Sequence, residues 1–363
     1  MKIVTVFGTR PEIIRLSRVM TCLDQCCNHV TIHTGQNHDH RLSGLFFEEL
    51  KLRPPDHVLN ARGSLAQQLA EMFVGCERIF STEKPDRILL LGDTNSGLTA
   101  LLAKRMGLPV THMEAGNRCY NDRVPEEVNR RIIDHASDLL LPYTEGSRRN
   151  LLSEGIPGQR IFVTGNPIFE VIRHYESDIQ SSSILSRIGV AAKGYFLATL
   201  HRAENVDNPR RLKDFVTAFQ LLQEEFHLPV IVSTHPRTKL RLTECGIDCA
   251  GDHVRFCPPF GFFDFLQLER HARCVLSDSG TVQEECAIAG VPSVTLREET
   301  ERPETLECGA GTLTGDAPEA ILQAVQRTLM NQSSQRVPPE YLVPNVSQVV
   351  TQILLGKIRS SSP

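Results

Sequence analysis

Three carboxylates in the first half of this sequence stand where proton transfer could be organised. Asp93 follows the apolar run Arg87–Leu91, Glu114 follows Val110–Met113, and Glu126 lies in the first turn of a predicted helix. Carboxylates brought together raise one another's pKa values, and a site obtains both an acid and a base in this way. The three residues are therefore candidates for proton transfer. The alternative is that each acid only caps or favours the helix that follows it.

A second group of residues is suited to bind a diphosphate. The apolar stretch 274–276 runs into Ser279 and Gly280, and a predicted helix that includes Thr281 follows. Backbone amides and the positive helix end would face a phosphate docked there. Glu285, one turn further on, is suited to accept hydrogen bonds from ribose hydroxyls. A plain capped helix with solvated glutamates is the alternative, and Arg302 completes the predicted binding residues.

The loop after the first predicted strand offers another phosphate contact. It reads Gly8-Thr9-Arg10-Pro11-Glu12, and proline is suited to the first position of a helix. Doubly wound folds often hold phosphate at this place, where the helix N-terminus would act together with Arg10 and Arg15. A simple strand-to-helix turn is the alternative.

Two histidines and one aromatic residue are candidates in the second half. His201 and His235 each follow a predicted strand, where a histidine can bind a phosphate oxygen or assist proton transfer. Phe265 either stacks on a base or belongs to the core, and both interpretations remain open.

These residues must be positioned by a chain of 363 residues, a length that favours two domains. Short apolar strands alternate with helical segments throughout, which predicts an α/β fold of two doubly wound, Rossmann-like domains with buried parallel sheets. We expect domains at 1–175 and 190–340, and a C-terminal helix within 341–363 that packs back on the body. The ligand site is expected in the interdomain cleft.

Composition argues against several classes of protein. A formal net charge of −4 with mixed charges disfavours nucleic-acid binding. We expect no membrane span and a cytoplasmic protein, because the sequence has no long apolar run and no leader-like start. The eleven cysteines are scattered and are interpreted as reduced thiols. No metal site is predicted, because the His38-Asp39-His40 segment has no distant third ligand.

Two further patterns are weak. Gly309–Gly315 resembles a dinucleotide loop, but its third glycine comes one residue late and no opening strand-helix-strand unit surrounds it. Ser279 does not lie in a G-x-S-x-G elbow, which disfavours a serine hydrolase. No cofactor is predicted.

Taken together, the sequence resembles the non-hydrolysing UDP-N-acetylglucosamine 2-epimerases, a family with the two-domain GT-B architecture. The likeness covers nearly the whole chain and is carried by ordered segments: Gly8–Glu12, Thr34-Gly35-Gln36, Gly92-Asp93-Thr94, Glu114-Ala115-Gly116, Pro125–Arg130, Thr164–Pro167, His201–Asn205, His235-Pro236, Asp278–Glu285 and Glu301–Glu304.

The resemblance implies roles for the candidate residues. Asp93, Glu114 and Glu126 would be the acid and base, and Arg10 and His201 would support the diphosphate or the transition state. The remaining candidates would bind a UDP-sugar: Arg15, His235, Phe265, Ser279, Gly280, Thr281, Glu285 and Arg302. The resemblance also implies a homodimer that makes precursors of bacterial surface polysaccharides such as capsule and O-antigen.

Departures from the family pattern leave the sugar open. Asn117 and Thr281 look closer to the branch that converts UDP-2-acetamido-2,6-dideoxy-L-talose to UDP-N-acetyl-L-fucosamine. A hydrolysing 2-epimerase and a GT-B glycosyltransferase are the enzymatic alternatives. A non-catalytic UDP-sugar sensor is the third, but three clustered carboxylates would be costly to hold in such a protein.

Overall fold

The computed structural model describes residues 1–36, 40–247, 251–331 and 336–356. The chain forms two compact units: unit 1 comprises Met1–His174 and the segment that begins at Pro339, and unit 2 comprises Tyr175–Pro338. Within the described ranges, no helix is long and apolar enough to cross a membrane.

Unit 1 contains a six-stranded parallel sheet with the strand order β3-β2-β1-β4-β5-β6. Its strands are β1 (Lys2–Phe7), β2 (Asn28–His33), β3 (His57–Val58), β4 (Arg87–Leu91), β5 (Val110–Met113) and β6 (Leu139–Leu141). Its first seven α-helices are α1 (Arg10–Cys26), α2 (His40–Glu49), α3 (Leu65–Glu83), α4 (Thr99–Arg105), α5 (Pro125–Ala136), α6 (Glu145–Ser153) and α7 (Pro167–His174). Short 3₁₀ helices span Asn95–Leu98 and Gly158–Arg160.

Unit 2 contains a second six-stranded parallel sheet, with the order β12-β11-β10-β7-β8-β9. Its strands are β7 (Phe196–Leu200), β8 (Val230–Thr234), β9 (Val254–Cys257), β10 (Val275–Ser277), β11 (Ser293–Thr295) and β12 (Gly311–Leu313). Its helices are α8 (Glu176–Gln180), α9 (Ile184–Arg187), α10 (Ala203–Val206), α11 (Pro209–Phe226), α12 (Pro236–Glu244), α13 (Phe262–His271), α14 (Gly280–Ala289), α15 (Pro303–Glu307) and α16 (Pro318–Met330).

The two sheets share one topology. When the strands of unit 2 are counted from β7, both sheets run 3-2-1-4-5-6, the doubly wound order. In such a sheet, ligands bind beyond the carboxyl ends of the strands where the winding reverses. That point lies between β1 and β4 in unit 1 and between β7 and β10 in unit 2. The prediction of two doubly wound α/β domains is confirmed.

Burial on both faces explains why the strands read as continuous apolar runs. Along β7, Phe196 and Ala198 belong to one buried cluster and Leu197 belongs to another, so alternate side chains pack against different helical layers. The rigid sheets therefore leave their carboxyl-terminal loops to carry the polar residues.

The last described helix returns to unit 1. After a 3₁₀ helix at Pro339–Leu342, α17 (Val346–Leu355) packs against α1 and α7. The Arg87 guanidinium donates hydrogen bonds to the carbonyl oxygens of Leu354 and Gly356, the latter at 2.5 Å. These contacts satisfy carbonyl groups at the helix end.

Candidate functional site

The reversal point of unit 1 is organised by Glu12. Its carboxylate accepts hydrogen bonds from the amides of Gly8 and Thr9, at 3.0 and 2.7 Å. It also accepts one from the Thr94 hydroxyl at 3.0 Å. Glu12 therefore links the loop after β1 to the loop after β4. Burial raises its pKa to about 7, and these hydrogen bonds partly offset that effect.

Glu114 follows β5 and forms a buried ion pair with Arg15 of α1. The Arg15 guanidinium lies over the Tyr143 ring, 5.8 Å from its centroid. The backbone of Glu114 has a φ of +65°, a conformation that costs free energy for a side chain of this kind. The Glu114 backbone is therefore strained, and the ion pair with Arg15 fixes the position of its carboxylate.

Asp93 follows β4 and pairs with Arg130 of α5. The Nε and Nη2 atoms of Arg130 lie 2.9 and 2.7 Å from Asp93 Oδ2. The Asn129 side chain donates to the Asp93 carbonyl oxygen at 2.9 Å. Glu126 lies in the first turn of the same helix, half-buried and one turn before Arg130. Helix α5 therefore carries one predicted acid and fixes another.

The charges around these carboxylates differ from the sequence-based expectation. We expected repulsion among clustered carboxylates to dominate, but Arg15 pairs with Glu114 and Arg130 pairs with Asp93. Each of the two carboxylates therefore has a cation as its direct neighbour. The arginine partners could not be read from the pattern of acids.

Arg10 is the first residue of α1. Its guanidinium lies 5.7 Å from the centroid of the Phe46 ring, and burial lowers its pKa. It remains positively charged at neutral pH because the ordinary pKa of arginine is far higher.

The reversal point of unit 2 joins His201 to Asp278. His201 follows β7, and its Nδ1 atom lies 2.9 Å from the Asp278 carboxylate, which follows β10. Asp278 is fully buried and also accepts hydrogen bonds from the Arg202 amide at 3.0 Å and the Asn205 side chain at 3.1 Å. Burial opposes its ionisation, but His201 and these donors lower the pKa of Asp278 to about 2.

The predicted phosphate-binding turn begins α14. Ser279 is the N-cap, and its hydroxyl lies 2.8 Å from that of Thr281. The first amides of a helix have no partner within the helix, so this turn can present donors to an anion. Gly280 is required sterically, because a Cβ atom there would lie 2.6 Å from Arg302 Cζ.

Arg302 is buried and forms ion pairs with two glutamates. Its Nε atom donates to Glu284 at 2.6 Å, and its Nη1 atom contacts Glu301. Glu301 also accepts from Arg297 at 2.8 Å. This network holds Arg302 against the first turn of α14.

Glu285 is buried beside Glu269 of α13, which sequence reasoning missed. Burial and the Glu285 charge raise the pKa of Glu269 well above its usual range. The Glu269–Glu285 pair therefore holds a proton more tightly than an isolated carboxyl group does.

The other predicted residues of unit 2 fall in different environments. His235 is the N-cap of α12, and its Nδ1 atom accepts the Arg237 amide at 3.2 Å. A neutral His235 ring therefore carries its proton on Nε2 and can donate it to a ligand. Phe265 packs against a buried cluster of unit 2, which favours the core interpretation of this residue.

Asn117, one of the two residues that suggested a different sugar, is buried in unit 1. Its side-chain oxygen accepts a hydrogen bond from the Ser147 hydroxyl at 2.8 Å. Its effect on a bound sugar would therefore be transmitted through the loop that follows Glu114.

No cluster of three or more metal-ligating side chains occurs among the residues that the structure describes. His38 and Asp39 lie outside the described residues, and the His40 side chain is not described either.

One signal could have identified Asp278 as a site residue. It directly follows a buried strand, which is the same placement that pointed to Asp93 and Glu114. Arg130 and Glu269 carried no comparable signal, because each lies within a helix and is identified only by its tertiary partner.

Comparison with known proteins adds to this geometry. The sequence profile of the family described as UDP-N-acetylglucosamine 2-epimerase matches residues 23–355. A UDP-N-acetylglucosamine 2-epimerase of Methanocaldococcus jannaschii is 40% identical over 348 residues, which cover 93% of this chain and 95% of that protein.

Two further similarities are informative. A UDP-2,3-diacetamido-2,3-dideoxy-D-glucuronate 2-epimerase of Pseudomonas aeruginosa is 36% identical over 341 residues, covering 91% of this chain and 92% of that protein. The crystal structure of the M. jannaschii UDP-GlcNAc 2-epimerase in complex with UDP-GlcNAc and UDP has a TM-score of 0.93 at 38% identity. The match covers 98% of this chain and 100% of that chain.

Proposed function

The chain belongs to the UDP-N-acetylglucosamine 2-epimerase family, and we propose that it inverts C2 of a UDP-N-acetylhexosamine by eliminating UDP and adding it back. The predicted family, the isomerase class and the GT-B fold type are confirmed. We take UDP-N-acetylglucosamine and UDP-N-acetylmannosamine as the interconverted pair, because relatives named for the first sugar match nearly the whole chain.

The placement of Asp93 and Glu114 carries this proposal. They follow the neighbouring strands β4 and β5, and each is held by an arginine. A sugar-binding protein without catalysis has little use for two fixed carboxylates, whereas removal and return of a proton need a base and an acid.

The chemistry explains why UDP must leave. The C2 proton of an N-acetylhexosamine is not acidic enough for a carboxylate to remove directly. When the C1–oxygen bond breaks, its electron pair leaves with UDP and positive charge develops beside C2. A carboxylate then takes the C2 proton, and the C–H electrons form the double bond of a 2-acetamidoglucal. Addition of UDP to C1 and of a proton to the opposite face of C2 gives the epimer.

We assign the two halves of this chemistry to the two units. In unit 1, Asp93, Glu114 and Glu126 exchange the proton, with Arg10 and Arg15 as nearby cations. In unit 2, His235, the Ser279–Thr281 turn and Glu285 bind UDP, with Arg302 behind the turn and His201 at the diphosphate. Phe265 supports this region through packing.

Homodimer formation is a further proposal. Apolar side chains are exposed on adjacent helices of unit 1: Val74 of α3, Leu101 of α4, and Val128 and Ile132 of α5, each at least 40% exposed. Grouped apolar surface of this kind favours protein contacts. We also propose a cytoplasmic location and a role in supplying precursors for bacterial surface polysaccharides such as capsule and O-antigen.

Proton NMR in D2O tests the proposed reaction. Purified protein is incubated with UDP-N-acetylglucosamine, with and without EDTA, and with no added NAD. We expect deuterium at C2 of both epimers and little free sugar. Accumulation of N-acetylmannosamine with UDP would instead indicate hydrolysis, and transfer only with an added acceptor would indicate a glycosyltransferase. Glu114→Gln protein prepared in parallel controls for a contaminating epimerase.

A further inference from the structure

A buried network of charged side chains lies directly behind Asp93 and Glu114. At its centre is His112 of β5, which is fully buried. His112 Nε2 lies 2.8 Å from the Gly92 carbonyl oxygen, and Nδ1 lies 2.7 Å from Asp134 of α5. Arg118 contacts the other Asp134 oxygen at 2.8 Å and pairs with Glu154 at 2.7 Å.

The partners of His112 define its protonation. A carbonyl oxygen only accepts hydrogen bonds, so Nε2 must donate to Gly92. Asp134 is the partner of Nδ1, and its second oxygen accepts from Arg118 and from the Gly116 amide at 3.1 Å. Burial opposes ionisation of Asp134, but the hydrogen bond from His112 and the charge of Arg118 lower its pKa. Nδ1 shares a proton with the Asp134 carboxyl group, so both ring nitrogens are hydrogen-bonded.

The network reaches the chain just before Asp93 and on both sides of Glu114. Gly92, which His112 holds directly, immediately precedes Asp93. Gly116, which Asp134 holds, comes two residues after Glu114, and His112 itself comes two residues before it. The strained φ of +65° at Glu114 lies between these two anchors.

We propose that His112 is a positioning residue for the epimerisation proposed above: hydrogen-bonded through both ring nitrogens, it sets the spacing between the loops that carry Asp93 and Glu114. His112 touches neither carboxylate, so it acts through the backbone of Gly92 and, by way of Asp134, through the backbone of Gly116. Small displacements of reacting groups have large effects on rate, so this spacing is expected to govern turnover.

Two amide variants separate the two contacts of the ring. In His112→Gln the amide nitrogen stands near the position of Nε2 and can still donate to Gly92. In His112→Asn the amide nitrogen stands near Nδ1, so the Asp134 contact survives and the Gly92 contact is lost. We expect His112→Asn to lower kcat by about 10- to 100-fold and His112→Gln to lose clearly less. UDP affinity should stay within about twofold of wild type in both, because other residues bind UDP.

His29→Gln is the matched control. His29 is also buried and paired with an aspartate, Asp24 at 2.6 Å, but it lies near the amino end of β2. All variants are assayed well below the lowest melting temperature, and His29→Gln should keep wild-type kcat. Equal losses in His112→Gln and His112→Asn, or wild-type rates in both, would overturn the positioning role.

Nitrogen-15 NMR of histidine-labelled protein tests the Gly92 contact directly. We expect one ring Nε2 atom, absent from the spectrum of His112→Gln, to carry a proton. An unprotonated Nε2 in His112 would contradict the proposal even if the rates behaved as expected. If wild-type protein exchanges no C2 hydrogen, the proposed function fails and this role with it. If wild type is active and the variants behave alike, only the role of His112 fails.

Discussion

The Nδ1 atom of His201 and the carboxylate of Asp278 lie 2.9 Å apart, and they join the carboxyl ends of β7 and β10. These are the strands between which the winding of the unit 2 sheet reverses. Asp278 thereby fixes the tautomer and orientation of the ring and directs Nε2 away from itself. The 41% exposure of the His201 side chain leaves it accessible to a ligand.

Asp278→Asn should lower kcat by about 10²-fold or more, since loss of an orienting carboxylate leaves a histidine in the wrong tautomer or position. UDP affinity should change less. The measurement is steady-state kinetics of Asp278→Asn, His201→Ala and the double variant. If Asp278 acts through His201, the double variant will be no slower than the slower single variant. Fully additive losses would contradict this relationship.

Glu12 should make the free energy of unfolding fall as pH rises. Its pKa in the folded protein is about 7, above the ordinary value of 4.5, so the folded state holds the proton more tightly. The stabilisation is complete below about pH 4.5 and is lost as pH rises through 7, by up to about 3 kcal/mol. Urea unfolding between pH 5 and pH 8 (roughly the window of that shift) measures it. In the control Glu12→Gln, the free energy of unfolding should depend less on pH. If it depends on pH as in the wild type, Glu12 is not the cause of the dependence.

Glu114→Gln and Asp93→Asn should each lower turnover by roughly 10²-fold or more while UDP still binds, because a proton-transfer group is lost and the nucleotide contacts remain. Each variant also removes the charge that Arg15 or Arg130 pairs with, so thermal unfolding is measured alongside. Asp122→Asn, at a 72% exposed side chain, is the control. A variant with a near-normal rate would remove that residue from the catalytic set.

His235→Ala and Glu285→Ala should mainly weaken UDP binding, Glu285→Ala by about 1.5–3 kcal/mol if the carboxylate accepts hydrogen bonds from the ribose. Isothermal titration calorimetry with UDP measures the change. His227→Asn serves as the control, because His227 is an exposed helix cap with a positive φ that asparagine tolerates. Unchanged affinity in both test variants would place the nucleotide elsewhere.

The substituent at C6 of the sugar distinguishes the two proposed substrates. If Asn117 and Thr281 mark the 6-deoxy-L-talose branch, UDP-N-acetylglucosamine should turn over slowly, because its 6-hydroxyl would be desolvated without a partner at a cost of about 1–3 kcal/mol. Parallel NMR assays with UDP-N-acetylglucosamine and UDP-2-acetamido-2,6-dideoxy-L-talose give the comparison. Rapid conversion of the first with the second inert would exclude this branch and leave the family assignment intact.

The polar residues at the strand ends were predictable from the sequence, because each lies close in the chain to the apolar run that forms its strand. An acidic residue at the end of a short apolar run is placed at the carboxyl edge of a parallel sheet, and Asp93 and Glu114 lie there. Asp278 obeys the same rule and could have been recognised from it.

The electrostatic partners were not predictable, because they depend on tertiary packing. Arg15 pairs with Glu114, although the two residues lie 99 positions apart in the chain. Glu269 meets Glu285 only because α13 and α14 pack together. Hydrophobic periodicity places a helix on a sheet, but it does not specify which of its polar side chains meet a given charge.

The return of α17 to unit 1 has a consequence for biosynthesis. Unit 2 is a continuous stretch of chain, so all of it has been translated before α17 is. Unit 1 is translated first, but it lacks α17 until the end of synthesis. Until then, the surfaces of α1 and α7 that α17 covers stay exposed to water. The domain translated first is therefore the last to be completed, and its partly folded form is the one that chaperones would meet.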